Sequence, residues 1–176
     1  MQIRRAGDAD LEAVLAVERE AFGTESEAEL VRHLLEDPSA RPTINLLAFE
    51  DDRPVGHILM TAAVIGDSGA PTLILAPLAV VPDAQRKGIG GALIRAALED
   101  AREMGIQLVL VLGHPDYYPR HGFTPAGVHG IEAPYPIEEK NAGAWMVQEL
   151  ESGIIGTVKG KVRAAHSMMR PEYWRE

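Results

Sequence analysis

Apolar residues recur every three or four positions in three stretches of the chain, a spacing typical of helices that bury one face. The first stretch begins at Asp8, whose side chain we expect to cap a helix, and ends at Gly23. The second stretch is Glu25–Glu36 and the third is Ile89–Met104. The pattern therefore predicts two helices near the N-terminus and one in the middle of the chain.

Shorter apolar runs between turn residues predict strands. Thr72–Val81 is the most apolar run and suits the centre of a sheet. Gln107–Leu112 follows the third helix, and a strand–helix–strand crossover of this kind makes neighbouring parallel strands. The other predicted strands are Gln2–Arg5, Leu46–Glu50, Val55–Ile65, Gly122 to about Gly127, and Ala144–Leu150 as the last. Residues 114–121 predict a short helix or turn, and residues 128–143 predict a loop.

The turn between Thr72–Val81 and the third helix lacks a side-chain cap, because residues 85–88 include no Ser, Thr, Asp or Asn. A helix start leaves four backbone N–H groups without partners inside the helix, and its dipole favours an anion. Glycines let a ligand approach the backbone, and Arg86 and Lys87 add positive charge. The turn therefore predicts a phosphate site, although it matches neither GxxxxGK(S/T) nor GxGxxG, whose third glycine position holds Leu93.

Composition and charge exclude several kinds of site and partner. The 176 residues suffice for one domain with a core, and the absence of cysteine excludes disulfides, thiolate metal sites and a cysteine nucleophile. The N-terminus has no apolar signal segment, and no apolar run approaches the ~20 residues that span a bilayer. A net charge of −9 argues against nucleic-acid binding. We therefore expect a cytoplasmic protein without a membrane or nucleic-acid partner.

The charge is uneven along the chain. Residues 156–176 hold five Lys or Arg and two acids, so the residues before them carry −12. One interpretation of this basic tail is a solvated terminal segment. The other is a flap near an anionic ligand or an acidic neighbouring subunit.

Three motifs, in order along the predicted elements, carry a resemblance to a known family. Gln85–Gly90 (QRKGIG) is similar to the Q/R-x-x-G-x-G/A signature of the GCN5-related N-acetyltransferases, the GNAT superfamily. The residues before it, Leu78–Pro82 (LAVVP), and the later Tyr117–Phe123 (YYPRHGF) resemble two further segments of that family, the second being F/Y-Y-x-x-x-G-F. Residues 146–150 and 153–158 resemble a predicted-acetyltransferase branch of the superfamily.

The resemblance implies an α/β (α+β) fold: a mixed, mostly antiparallel sheet with helices on both faces and a V-shaped splay between two parallel strands. Residues 1–150 would form the acetyltransferase domain, and residues 151–176 a basic tail packed on it or extending it. Acetyl-CoA would lie in the cleft as cosubstrate, without a metal. The residues implied to bind it through their backbone are Leu78, Ala79 and Val80 for the pantetheine and acetyl carbonyl, and Arg86, Lys87, Gly88, Ile89, Gly90 and Gly91 for the pyrophosphate.

The implied reaction moves an acetyl group to a primary amine of an unidentified small molecule or peptide. The Val80 N–H would polarise the carbonyl as an oxyanion-type donor. Tyr118, four residues before Gly122, matches the family's general acid for the CoA sulfur, since a phenol with a pKa near ~10 stays protonated at neutral pH. The alternative is a tyrosine packed in the core or rim, which is also what we expect of Tyr117.

The sequence leaves the general base open, because Leu73–Val81 contains no acid. Water could carry the proton instead of a side chain. The candidate bases are Glu25, Glu27, His57 and His114. Rather than act as a base, His114 could bind the pantetheine of acetyl-CoA, cap the short helix, or do neither.

The acceptor would be set by the first two helices and by the loop at residues 128–143, which contains His129, Glu132 and Tyr135. The acidic body favours a cationic acceptor such as a polyamine, an aminoglycoside, a lysine side chain or an α-amino group. Two other functions fit the same motifs: a catalytically silent acyl-CoA sensor, and an acyltransferase that uses a longer acyl-CoA or an oxygen acceptor. A homodimer is possible.

Overall fold

The computed structural model describes residues 1–175, which form three helices, nine strands and several short 3-10 turns. The helices are α1 (Leu11–Phe22), α2 (Ser26–Glu36) and α3 (Ile89–Glu103). The strands are β1 (Gln2–Arg5), β2 (Ile44–Glu50), β3 (Arg53–Ile65), β4 (Thr72–Val80), β5 (Leu108–Leu112), β6 (Thr124–Pro125), β7 (Ile131–Glu132), β8 (Trp145–Glu149) and β9 (Gly160–Arg163). In this part of the chain, no helix has the length and apolar character needed to cross a membrane.

The strands form one sheet in the order β1-β2-β3-β4-β5-β8-β6, and β9 pairs with both β3 and β7. Every neighbouring pair along this path is antiparallel except β4 and β5, which are parallel. The crossover through α3 therefore makes neighbouring parallel strands, as the sequence predicts. The predicted mixed, mostly antiparallel fold is confirmed.

Helices cover both faces of the sheet. The buried side chain of Glu18 on α1 reaches His57 on β3. The neighbouring residue Gly56 faces the other way, because a methyl group there would lie 2.9 Å from Leu93 and 3.1 Å from Ile89 on α3. Successive residues of a strand point to opposite faces, so α1 and α3 lie on opposite sides of β3. The core therefore forms two layers, one on each side of the central strands.

The expected Asp8 cap of the first helix is wrong. Asp8 begins a 3-10 turn, and α1 begins at Leu11. No side chain caps α1. The carboxylate of Asp10 instead accepts the N–H of Gly7, before the 3-10 turn, at 2.8 Å and binds the Arg4 guanidinium at 2.9 and 3.0 Å. The hydrogen bond from Arg4 lowers the pKa of Asp10 to about 2. Because Arg4 lies on β1, this pair fixes the start of the helical region to the edge of the sheet.

Two strand predictions near the C-terminus need correction. The predicted strand from Gly122 to about Gly127 is only two residues long, because a 3-10 turn begins at Gly127. Trp145–Glu149 is not the last strand, since β9 follows it and pairs with the far end of β3. Lys161 and Arg163 point outward from β9, whereas Val162 between them is fully buried. A four-residue strand with a charged outer face has a pattern that resembles a polar tail.

The segment after β8 packs on the α1–α2 side of the sheet through apolar side chains. Met168 contacts Thr61 of β3, and Trp174 packs edge-on against Trp145 with ring centroids 5.8 Å apart. The indole N–H of Trp174 donates to the carbonyl of Met168 at 2.9 Å. The cations of this segment are exposed, and Glu176 lies outside the described residues. The division of the chain at residue 150 stays a prediction.

Asp37 fastens this segment to the end of α2. Its carboxylate accepts four hydrogen bonds, two from the backbone and hydroxyl of Ser39 and two from those of Ser167, at 2.6–3.0 Å. Burial alone would raise the pKa of Asp37, but these bonds outweigh it and hold the pKa well below its usual range. A carboxylate with this many donors is a strong local fastening point.

Candidate active site

β4 and β5 separate after only three paired residues. Their last parallel pair is Ile74 with Leu110, although β4 continues to Val80. A register shift in the β3–β4 ladder lies between the Ile58–Leu78 and Met60–Leu75 pairs, so β4 bulges at Ala76–Pro77. A bulge bends the strand, and Pro77 has no N–H to donate to a neighbour. The separation therefore follows from the sequence of β4 and opens a cleft beyond Ile74.

The upper part of β4 turns backbone groups into this cleft. The N–H of Val81 donates to Val55 on β3 at 2.9 Å. Backbone groups alternate sides along a strand, so the N–H groups of Leu78 and Val80 point away from β3, toward the gap. The Val80 carbonyl accepts the side-chain amide of Gln85 at 2.9 Å, which ties the following turn to the strand. The gap is thus lined by N–H donors near the start of the turn.

The turn before α3 leaves six consecutive N–H groups, those of residues 86–91, without an acceptor among residues 1–175. The first hydrogen bond of α3 joins the N–H of Ala92 to Gly88, and no side chain caps the helix. Arg86 and Gly88 both have positive φ, 65° and 85°. This left-handed conformation favours glycine and is uncommon for arginine. The predicted uncapped helix start is confirmed, and its row of donors is a concavity suited to an anion.

The two cations of the turn differ in their surroundings. Arg86 is exposed and has no ion pair in the part of the chain that the structure describes. Lys87 is paired with Glu50 at 3.5 Å, in a region where Arg53 also binds Asp83 through two contacts of 2.9 and 3.0 Å. Of these two cations, Arg86 is therefore the one whose charge is available to an anion, and the charge of Lys87 is partly neutralised.

Two rings cover the first turn of α3. A methyl group on Gly90 would lie 2.5 Å from the Tyr117 hydroxyl, and one on Gly91 would lie 2.9 Å from the His121 ring. The Tyr117 and His121 rings contact each other, with centroids 4.9 Å apart. Packing therefore accounts for Gly90 and Gly91, whereas Gly88 has open space and is required by its backbone conformation.

Tyr118 lies at the end of β5. Its ring packs on Gly113, where any methyl group would overlap it, and edge-on against Phe123 with centroids 5.7 Å apart. The ring is 9% exposed, and burial raises the pKa of its phenol above the usual range. The hydroxyl has no hydrogen-bond partner within residues 1–175, and it is not enclosed, since the fully buried unpaired side-chain oxygens there belong to Glu18 and Gln148. Tyr118 thus keeps its proton and lies beside Gly113, directly after β5.

The structure separates the candidate bases. Glu25 pairs with Arg19 at 2.8 Å, and His114 is exposed beside Asp116. Glu27 is half-buried and accepts the Thr24 hydroxyl at 3.0 Å. His57 is fully buried. Within residues 1–175, no three acidic or histidine side chains are placed to hold a metal ion.

His57 lies in a hydrogen-bond network that the sequence did not reveal. Its Nδ1 lies 2.6 Å from Glu18 Oε2, and its Nε2 lies 2.6 Å from Asn45 Oδ1. Glu18 and Asn45 are absent from the sequence-based candidates. The available signal for Glu18 was its place on α1, where it shares the buried face with Val14 and Val17.

The predicted acceptor loop borders a cavity of about 340 Å³. Glu132 and Tyr135 line it, whereas His129 does not. The Tyr135 hydroxyl donates to the Met169 carbonyl at 3.0 Å, and Lys161 adds a cation beside Trp145. Since Trp145 pairs with Leu112, the last residue of β5, this cavity lies near the β5 end of the cleft.

Comparison with known proteins agrees with this geometry. Residues 11–127 match the family model described as the acetyltransferase (GNAT) family. The chain is 50% identical over 159 residues, 89% of its length and 87% of the relative's, to the uncharacterized N-acetyltransferase YjhQ of Escherichia coli K12.

Two solved structures share the fold over nearly the whole chain. One is the GNAT family N-acetyltransferase YhbS of E. coli in complex with CoA, with a TM-score of 0.87, 26% identity and coverage of 96% and 92% of the two chains. The other is a GNAT family acetyltransferase of Brucella melitensis in complex with acetyl-CoA, with a TM-score of 0.76, 26% identity and coverage of 95% and 97%. The chain belongs to the GNAT family of N-acetyltransferases.

Proposed function

We propose that the protein transfers an acetyl group from acetyl-CoA to a primary amine of a small molecule or peptide. The observation that carries this proposal is the row of six unpaired N–H groups, residues 86–91, beside the gap between β4 and β5. A pyrophosphate fits such a row, and an extended pantetheine fits a gap lined by strand N–H groups. Solved relatives with CoA or acetyl-CoA support the same cosubstrate.

Each part of the cleft has a role in the proposed reaction. Residues 86–91 would hold the pyrophosphate with Arg86 as a nearby cation, while the N–H groups of Leu78 and Val80 would bind the pantetheine. The backbone of Ala79 is directed to His57 on β3, so the structure does not favour the expected contact of Ala79 with the cosubstrate. The Val80 N–H points into the cleft, where it would stabilise the charge that grows on the carbonyl oxygen. Tyr118 would protonate the departing sulfur, since its buried phenol keeps its proton at neutral pH. His114 is exposed, so a contact with the cosubstrate stays a prediction.

Thermal shift separates the cosubstrate claims. We expect acetyl-CoA and CoA to raise the melting temperature and ATP to raise it less, because ATP lacks the pantetheine that would occupy the gap. Stabilisation by ATP with none by CoA would contradict the proposal.

Acetyl transfer followed by mass spectrometry tests the reaction itself. The four acceptors are spermidine, kanamycin, an N-terminally blocked peptide with one lysine, and a lysine-free peptide with a free α-amino group. We expect transfer to at least one of them. CoA binding without transfer to any of the four would instead indicate a catalytically silent sensor.

A further inference from the structure

The Glu18–His57–Asn45 network contains a polar atom that the fold itself does not use. Glu18 and His57 are 0% exposed, and Glu18 Oε2 is bonded to the His57 ring at 2.6 Å. The other carboxylate oxygen, Oε1, is also buried and has no hydrogen-bond partner within residues 1–175. Leaving a buried carboxylate oxygen unpaired is costly, and a native example calls for a reason.

The network lies beside the part of β4 that the proposed function assigns to the acetyl group. His57 is directly opposite Ala79 in the β3–β4 ladder, and Gly56 is opposite Val80. Side chains of directly opposite residues lie on the same face with Cβ atoms about 5 Å apart. α1 packs on both β3 and β4, which places Glu18 over these two strands.

A third acid lies on the helix that follows α1. Glu27, in the first turn of α2, is close enough for its charge to act on Glu18, and it is half-buried beside Thr24 in the α1–α2 connection. The titratable groups that act on Glu18 are thus His57 on β3 and Glu27 on α2, while Asn45 on β2 is neutral. The acids run inward from the α1–α2 connection, on the face of the sheet opposite α3.

We propose that Glu18 Oε1 accepts, through one water, the proton that the acceptor ammonium must lose before it attacks the acetyl carbonyl. This inference rests on the proposed function and names its general base. His57 and Asn45 are positioning residues that hold the carboxylate, and Glu27 attracts the ammonium.

The proton balance of the step is simple. One N–H bond of the ammonium breaks, and one O–H bond forms on Glu18. The freed lone pair attacks the carbonyl and forms the C–N bond. As the C–S bond breaks, Tyr118 gives its proton to the sulfur, and the second proton of the nitrogen replaces it on the phenol. The proton on Glu18 leaves to solvent past Glu27 after the product departs. His57 is held at both ring nitrogens, Nδ1 on Glu18 Oε2 and Nε2 on Asn45 Oδ1, which fixes the position of the carboxylate.

The electrostatics of the site suit a base. Burial raises the pKa of Glu18, the hydrogen bond and charge of His57 oppose this, and the charge of Glu27 raises it further. A carboxylate whose pKa is moved toward neutrality is a better proton acceptor than an ordinary surface acid.

The test is the pH profile of kcat/KM for Glu18→Gln with whichever of the four named acceptors the wild-type enzyme acetylates best. We expect a loss of about 100-fold at pH 7 that narrows to below about 10-fold at pH 9, because free amine then supplies the lost step. The KM for acetyl-CoA should stay within about twofold of the wild-type value, as positions 78–91 are intact. A merely structural role would lower kcat/KM by the same factor at every pH, and that result overturns the inference.

Glu27→Gln keeps the inference testable if Glu18→Gln folds poorly, because Glu27 lies at the rim. Removing its charge should move the acidic limb of the profile to lower pH and raise the KM for the amine. Glu29→Gln, an exposed change on the same helix, is the matched control and should leave both unchanged. If the acidic limb of the pH profile does not move in Glu27→Gln, Glu18 is not the general base, and the proposed acetyl transfer is unaffected. If the wild-type protein binds CoA but transfers acetyl to none of the acceptors, the proposed function is wrong, and so is the role of Glu18 as its general base.

Discussion

The contact between Tyr117 and Gly90 gives a prediction whose size follows from two distances. A methyl group added by Gly90→Ala would lie 2.5 Å from the Tyr117 hydroxyl but 3.7 Å from the ring carbon that bears it. The ring cannot move away freely, since it lies against Tyr118 and His121 with centroids 5.1 and 4.9 Å away. Removing only the oxygen with Tyr117→Phe should therefore remove the clash.

The magnitudes come from two opposing effects. Overpacking of this kind costs about 1–3 kcal/mol, while replacing glycine by alanine inside a helix gains about 1 kcal/mol. We expect Gly90→Ala alone to lower the free energy of unfolding by about 1 kcal/mol. In the Tyr117→Phe background, the same change should raise it by about 0.5–1 kcal/mol. The two substitutions should thus be coupled by about 2 kcal/mol.

Urea unfolding followed by tryptophan fluorescence measures this coupling as a double-mutant cycle. Gly88→Ala is the matched control, because its site has open space and its cost comes from a φ of 85°, independent of Tyr117. Its effect should be the same in both backgrounds. If the Gly90 and Tyr117 changes are additive within about 0.5 kcal/mol, the hydroxyl does not lie over the start of α3 and the reasoning is refuted.

Three further predictions address catalysis and stability. Tyr118→Phe should lower kcat for acetyl transfer about 100-fold with little change in the KM for acetyl-CoA, and full turnover with chemistry limiting would contradict the general-acid role. Asp37→Ala should lower the free energy of unfolding by about 3 kcal/mol, against less than about 0.5 for the exposed Glu29→Ala, because four hydrogen bonds to the carboxylate are lost. Since the pKa of Asp37 is depressed in the folded protein, the loss of stability caused by Asp37→Ala should be complete above pH ~4 and shrink as the pH falls. A loss that grows in acid would contradict this reasoning. Gly122→Ala should lower the free energy of unfolding in urea by more than about 2 kcal/mol, because the φ of Gly122 is 95° and the Gln148 amide occupies the place of the added methyl group. Gly127→Ala, where the space is open, should change it little.

Local patterns predict the second and third helices well, and the family resemblance implies the cleft. The boundaries of α2 and α3 lie within one residue of those expected from apolar spacing, since that spacing reflects the buried face directly. The uncapped start of α3 is also local, as caps are read from adjacent residues. The family motifs then imply the splay of β4 and β5, for which Pro77 and the bulge give a physical reason.

Features that depend on distant parts of the chain could not be predicted in this way. Glu18 and His57 are 39 residues apart, and only an acid on the apolar face of α1 hints at their contact. β9 is short and charged, and it becomes a strand because β3 and β7 supply partners. The expected Asp8 cap is wrong because a 3-10 turn, held by contacts of Asp10 with Arg4 on β1 and with Gly7, precedes α1.

The fastening of Asp37 to Ser167 has a consequence for biosynthesis. The two residues are 130 positions apart, and ribosomes add about 5–20 residues per second, so Asp37 waits roughly ten seconds for its partner. Until residues 162–174 emerge, the apolar side of β3 that they cover and its unpaired end at Val64–Ile65 face the solvent. During that interval the nascent chain carries an uncovered apolar face and an unpaired strand edge, the two features by which partly folded chains associate with one another.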